Sequence, residues 1–139
     1  MKHILGTVLT ITVLLCALSA CQTTPEDIEE GLPPAELFQR AQEAVIERND
    51  YKTALIYYQA FLQRYPDDLQ NRVKAEYEIA FLHYKMGEEK RALRGFQDLL
   101  DYYEGEQAEV LPQWPRVLAE KLIKIIQEEQ RSTQPNEEE

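Results

Sequence analysis

Nucleophiles and bases are scarce in this chain, and where they stand limits the chemistry open to it. Two cysteines occur, Cys16 and Cys21, and two histidines, His3 and His83. Cys16 is embedded in an apolar run, while Cys21 follows the small pair Ser19-Ala20 and carries the thiol suited to thioether formation. His83 stands among apolar neighbours in a helical stretch and reads as a packing residue rather than a base or a metal ligand. Ser132 lies in a polar stretch, and no Ser-His-Asp set, Gly-rich phosphate loop or His/Cys metal spacing can be assembled. The pairs Asp67-Asp68, Glu88-Glu89 and Glu128-Glu129 read as solvated faces or turn caps in a chain this acidic. The expectation is a protein without catalytic residues, metal or cofactor: not an enzyme, and with no small-molecule substrate.

Cys21 has to be read with the residues before it. Met1-Lys2-His3 is followed by an apolar run from Ile4 to Leu18, too short for a spanning helix of roughly 20 residues and suited to a secretory h-region. Leu18-Ser19-Ala20-Cys21 resembles the bacterial lipobox, in which a dedicated peptidase cuts before a cysteine that carries diacylglycerol. That resemblance implies a lipoprotein signal peptide over 1–20, cleavage between Ala20 and Cys21, and a lipid on Cys21. An ordinary signal-peptidase site at Ala17-Leu18-Ser19 and an uncleaved anchor are the competing readings. With Cys16 removed, Cys21 is left as the single cysteine, which excludes an intrachain disulfide and a cysteine metal site. Gln22 to Pro34 is polar, acidic and proline-bearing, so residues 21–34 read as the lipidated Cys and a flexible tether with a reach of at most ~45 Å. Gln22 in place of Asp implies, by the enteric sorting rule, the outer membrane facing the periplasm.

The formal net charge is -10. Phosphates need clustered Lys and Arg, and none cluster here, so nucleic acid and anionic headgroups are poor partners. Only the lipid is expected to connect the chain to a membrane.

What positions the remaining side chains is a repeat. Thr53 to Leu62 aligns with Arg91 to Leu100 at an offset of 38, pairing Ala54 with Ala92, Tyr58 with Phe96, Phe61 with Leu99, and then Tyr65 with Tyr103. Ala54, Tyr58, Phe61 and Tyr65 fall at i, i+4, i+7 and i+11, one buried stripe of a helix, and Ala92, Phe96, Leu99 and Tyr103 repeat it. Asn49-Asp50 and Gly87-Glu88 precede these helices as turns that stop one helix and cap the next. Upstream of each turn a first helix is expected, Ala35 to Arg48 with Leu37, Phe38, Ala41, Ala44 and Val45. The other runs from about Gln70 to Met86, with Val73, Tyr77, Ile79, Ala80 and Tyr84. A fifth helix from Pro115 to about Gln130 carries Leu118, Leu122, Ile125 and Ile126, with Pro115 at a first helical position that needs no N–H. The fold class is all-α, with a helical domain over 35–131 and a disordered acidic tail over 132–139.

These residues resemble the tetratricopeptide repeat. Ala54, Ala92 and Ala80 supply its small crossing residues, the two turns match its turn, Tyr58 and Phe96 its aromatic, and Pro66 its closing proline. Gln42 stands where the first repeat should have a small residue opposite Ala54, and Glu104 replaces the second proline. The resemblance covers about 35–104 and implies two helix-turn-helix repeats plus a C-terminal capping helix, a fragment of a right-handed α-solenoid. A lipobox, a short tether and the run Asn49-Asp50-Tyr51-Lys52-Thr53-Ala54 leading to Phe61-Leu62-Gln63-Arg64-Tyr65-Pro66 look like the BamD group of outer-membrane assembly lipoproteins, in a form with fewer repeats. The function so implied is a lipid-anchored adaptor or scaffold for protein partners in the cell envelope, in outer-membrane protein assembly. The alternatives are an accessory subunit of a periplasmic solute-binding or transport system, and a cell-wall or division coordinator. In tetratricopeptide domains the first helix of each repeat lines a groove. Tyr77, Phe81 and Tyr84, flanked by Lys74 and Lys85, are the expected partner-binding strip, unless the rings pack against repeat one and the fifth helix.

Overall fold

A computed structural model describes residues 28–133. Five α-helices make up these residues: α1 Pro34–Arg48, α2 Tyr51–Arg64, α3 Leu69–Lys85, α4 Glu89–Asp101 and α5 Gln113–Thr133, with a 3-10 turn at Ala108–Val110 before the last. Ala20 and Cys21 lie outside the described residues, as does the stretch 134–139. Ser132, expected in a disordered tail, instead belongs to the last turn of α5, where its hydroxyl donates to the Glu129 carbonyl at 2.8 Å.

The offset of 38 is written into the turns. Asn49 adopts the left-handed conformation with φ 52, and the N–H of Asp50 reaches back to the Ala44 carbonyl at 2.8 Å. Gly87 takes the same role with φ 75, and the Glu88 N–H reaches the His83 carbonyl at 2.9 Å. Both satisfy carbonyls that a helix end leaves unpaired. The capping half of the turn differs between the repeats. Asp50 accepts from the Thr53 N–H at 3.0 Å and starts α2, whereas Glu88 makes no cap bond and turns to His83 and Arg91. Asp68 repeats the Asp50 role for α3, accepting from the Asn71 N–H at 3.2 Å. The residues between the repeats, Tyr65 to Asp68, are therefore the stop of α2 and the cap of α3.

α1 packs on α2, α2 on α3, α3 on α4 and α4 on α5, with a further contact between α3 and α5. The odd-numbered helices form one layer and the even-numbered helices the other. Within repeat one, Leu37, Ala41 and Ala44 meet Ala54, Tyr58 and Phe61, all buried, and Phe38 presents its edge to Tyr58 and Phe61 at 5.3 and 5.0 Å between ring centres. Within repeat two, Val73, Tyr77 and Ala80 meet Ala92, Phe96 and Leu99. α3 is covered on a second side as well, because Ala75 and Leu82 are buried with repeat one. In repeat one the small residues opposite α2 are Ala41 and Ala44, so the exposed Gln42 does not break the crossing.

A close crossing sits at Gly95, a residue the repeat alignment passes over. A Cβ at Gly95 would lie 2.9 Å from the Ala80 Cβ, closer than two carbons tolerate. The absent side chain is what lets α3 and α4 approach.

Three expectations need correction. Residues 28–33 are not free tether: Ile28 and Leu32 are buried in the first core cluster. Arg64 donates to the Glu29 and Ile28 carbonyls at 2.9 and 3.1 Å, and the Tyr65 hydroxyl to the Leu32 carbonyl at 2.7 Å. Burying two apolar side chains while satisfying three carbonyls holds this segment on the domain as a strap. Ala60, one turn before Arg64 and off the stripe of Ala54, Tyr58, Phe61 and Tyr65, is buried in the same cluster. On α5 the covered stripe is Pro115, Ala119, Leu122 and Ile126, and Leu118 is left 39% exposed. Pro115 does not open α5, which begins two residues earlier at Gln113.

Candidate functional site

The layer of odd-numbered helices presents one open face. On α3 its column is Lys74, Glu78, Phe81 and Lys85, spaced four, three and four residues apart and so on one side of the helix. Between α1 and α3 lies a hollow of about 440 Å³ lined by Pro33, Pro34, Ala35, Phe38, Asn71 and Lys74. Beside α3 runs the flank of α5 that carries Trp114, Leu118, Lys121 and Ile125. That side is fixed by two contacts, Trp114 with its edge on Tyr77 at 5.1 Å and Glu129 accepting from the Tyr84 hydroxyl at 3.5 Å.

The five expected binding residues divide between this face and the core. Tyr77 is 7% exposed and belongs to the core, held between Phe96 at 5.8 Å, Trp114 and a parallel Phe81 ring at 6.1 Å. Phe81 and Tyr84, 6.4 Å apart, are half-buried over the second core cluster. Lys74 is half-buried and donates to the Asn71 side chain at 3.0 Å, and Lys85 is exposed. The strip is therefore continuous, rooted in the core at Tyr77 and open along Phe81 and Tyr84. Sequence reasoning missed Trp114, which is 40% exposed and continues the strip onto α5 together with Leu118. The signal was present in the spacing, since Trp114, Leu118, Lys121 and Ile125 form a helical column of their own.

Along the two columns basic side chains outnumber carboxylates. Lys74, Lys85 and Lys121 are basic positions on a face of a chain with net charge -10. The one carboxylate of the α3 column, Glu78, is raised above the usual carboxylate range by burial. It stands beside two buried phenols: Tyr77 is pushed up to about 12, first by burial and then by Glu78, and Tyr58 is raised in the same way. Tyr84 is raised by burial and by Glu129. All three tyrosines keep their protons at neutral pH.

His83 is not on this face. Its Nδ1 lies 2.7 Å from a Glu88 oxygen across the α3–α4 turn, where Arg91 joins at 3.1 Å, and the Glu88 carboxyl is held below its ordinary value first by His83 and then by Arg91. Among the described residues no group of three His, Cys, Asp or Glu is placed to hold a metal ion, and no helix is long and apolar enough to cross a membrane.

The tetratricopeptide-repeat family model matches residues 35–68 and 74–105 of this chain, the two helix pairs just described. An uncharacterized protein of Treponema pallidum (strain Nichols) is 34% identical over 97 residues, which cover 68% of this chain and 38% of that protein. The chain thus spans less than half the length of that relative. No solved structure matches.

Proposed function

This is a tetratricopeptide-repeat-containing protein, a fold that serves protein–protein interaction, and we propose that it is a lipid-anchored adaptor that holds an acidic segment of a partner protein at the cell envelope. The observation that carries the reading is the open face of α1, α3 and α5, where Phe81, Tyr84, Trp114 and Leu118 leave apolar surface uncovered between Lys74, Lys85 and Lys121. Aromatic rings give large contact area for few frozen rotors. The lysines act at the rim, selecting carboxylates at a modest ~0.2–1 kcal/mol each.

Cys21 is the anchor in this proposal, and the membrane is the outer membrane facing the periplasm, with outer-membrane protein assembly as the process. The strap matters for that arrangement. With Ile28 held on the domain, residues 22–27 are the whole tether, and the lipidated cysteine stands at most ~25 Å from Ile28. A short tether raises the effective concentration of domain and partner at the bilayer, which offsets the small area that two repeats provide.

The test combines labelling with crosslinking in cells. Labelled palmitate should enter the natural protein and not Cys21→Ser. Photo-crosslinkers at Lys85 and Leu118 should capture the same partner, and Phe81→Ala with Trp114→Ala should abolish that capture while the purified variant stays helical by circular dichroism. Depletion should lower the abundance of outer-membrane barrel proteins. A folded double variant with undiminished crosslinks rules out the face. Palmitate in Cys21→Ser rules out the anchor, and unchanged barrel proteins rule out the assembly role.

A further inference from the structure

The opposite side of the molecule carries a second hollow, at the junction of the two repeats. It encloses about 580 Å³ between α2, α3 and α4, with Leu62, Ile79 and Gly95 at its floor and Glu76, Asp98, Asp101 and Tyr102 around them. The repeat offset shows that this hollow is peculiar to repeat two. Gly95, Asp98, Asp101 and Tyr102 correspond to Tyr57, Ala60, Gln63 and Arg64, so repeat one has a bulky ring in place of the glycine and no acid at all.

A cation of the chain itself already rests at the rim of this hollow. Arg72 lies at the edge with its Nε 3.1 Å from Glu76 and its guanidinium 6.0 Å from the centre of the Tyr102 ring, while the Tyr102 hydroxyl donates to the same Glu76 carboxylate at 3.0 Å. One arginine is thus paired and stacked in the way guanidinium groups prefer. Asp98 and Asp101, one turn apart on α4 and exposed, take part in no ion pair among the described residues. They repeat the carboxylate half of that arrangement without its cation.

We propose that the α2–α3–α4 hollow is a second docking site, whose occupant is a basic amphipathic helix of a partner protein that lays an apolar side chain on Leu62, Ile79 and Gly95 and an Arg or Lys on Asp98 and Asp101. Gly95 adds backbone alone to this lining, because the direction of its missing Cβ is closed by Ala80. The site is independent of the open face of the odd-numbered helices, which selects the opposite charge, so an adaptor with both would bring a basic and an acidic segment together.

The probe is a synthetic fluorescent peptide with Leu at helical spacing and Arg on either side of the Leu column, followed by anisotropy at low salt and by amide spectra of the isotope-labelled protein. Binding should shift the Gly95 and Tyr102 amides and weaken as salt rises. Asp98→Asn with Asp101→Asn, both exposed and so neutral for folding, should weaken it roughly fivefold, two rim charge pairs at ~0.5 kcal/mol each. A peptide with Glu for Arg should not bind, and Phe81→Ala with Trp114→Ala should leave the basic peptide's affinity unchanged. Absence of binding, equal binding by the Glu peptide, amide shifts confined to the odd-helix face, or indifference to the Asp pair would each overturn the proposal.

Discussion

A methyl group added at Gly95 sets two known effects against each other, and the structure says which wins. In an exposed helix interior, Gly→Ala stabilises by about 0.8–1 kcal/mol, because alanine is the better helix former. Here the new Cβ would stand 2.9 Å from the Ala80 Cβ and 3.5 Å from its Cα, so α4 has to back away from α3 by several tenths of an ångström. The atoms it meets cannot yield, since they are the stem and backbone of a fully buried alanine. Overpacking of this kind costs about 1–3 kcal/mol. Gly95→Ala should therefore be neutral to destabilising by up to about 2 kcal/mol, never stabilising by the helix-propensity gain. Ala80→Gly removes the opposing methyl, and in that background Gly95→Ala should show its full helix gain. The double-mutant cycle cancels the propensity terms and isolates the clash, with an expected coupling of about 1–3 kcal/mol. Urea unfolding of the four proteins, monitored by circular dichroism with a shared slope, measures it. A coupling within about 0.3–0.5 kcal/mol of zero, the usual limit of additivity, would show that the α3–α4 crossing is not held at this contact.

Ala54→Leu and Ala92→Leu should each lower stability by about 1–3 kcal/mol in the same assay, since both side chains are fully buried between paired helices. Tyr65→Phe deletes the hydroxyl that holds the Leu32 carbonyl and should cost about 0.5–1.5 kcal/mol, with amide exchange accelerating over residues 29–32; unchanged exchange there would remove the strap from the fold. Asp50 is held below its ordinary carboxyl value, first by the Thr53 side chain and then by the Thr53 N–H. Because the folded value is the lower one, its contribution is present above the unfolded value of 3.8 and is lost as pH falls through the folded value. Asp50→Ala should accordingly cost about 1 kcal/mol at neutral pH, the usual worth of a helix cap, and flatten the acid limb of the stability profile. An acid limb as steep as that of the natural protein would rule out the cap as its source.

The five helices, their pairing and their turns were legible in the residues because each depends on chemistry close in sequence. A stripe at i, i+4 and i+7 must be buried whatever buries it, and Asn49 or Gly87 can take a left-handed conformation wherever the chain places it. The offset of 38 then fixed which helix pairs with which. Which surface covers a given stripe is a different matter, since that depends on residues far away in the chain. Ile28 and Leu32 have no period, so nothing local marks them as a strap until Arg64 and Tyr65 are seen reaching for their carbonyls. α3 carries apolar residues on two sides, and a periodicity read for one face passes over Ala75 and Leu82, which only the neighbouring repeat buries. Leu118 and Ala119 are adjacent and both fit an amphipathic helix; the alanine is the one turned inward, where α5 approaches its neighbours closely. Within the candidate site, the sequence supplied an aromatic strip between two lysines. The tertiary structure alone rooted Tyr77 in the core, left Phe81 and Tyr84 half open and set Trp114 beside them. A helix says which side chains share a side, and only the packing of the next helix decides whether that side is covered or free to bind.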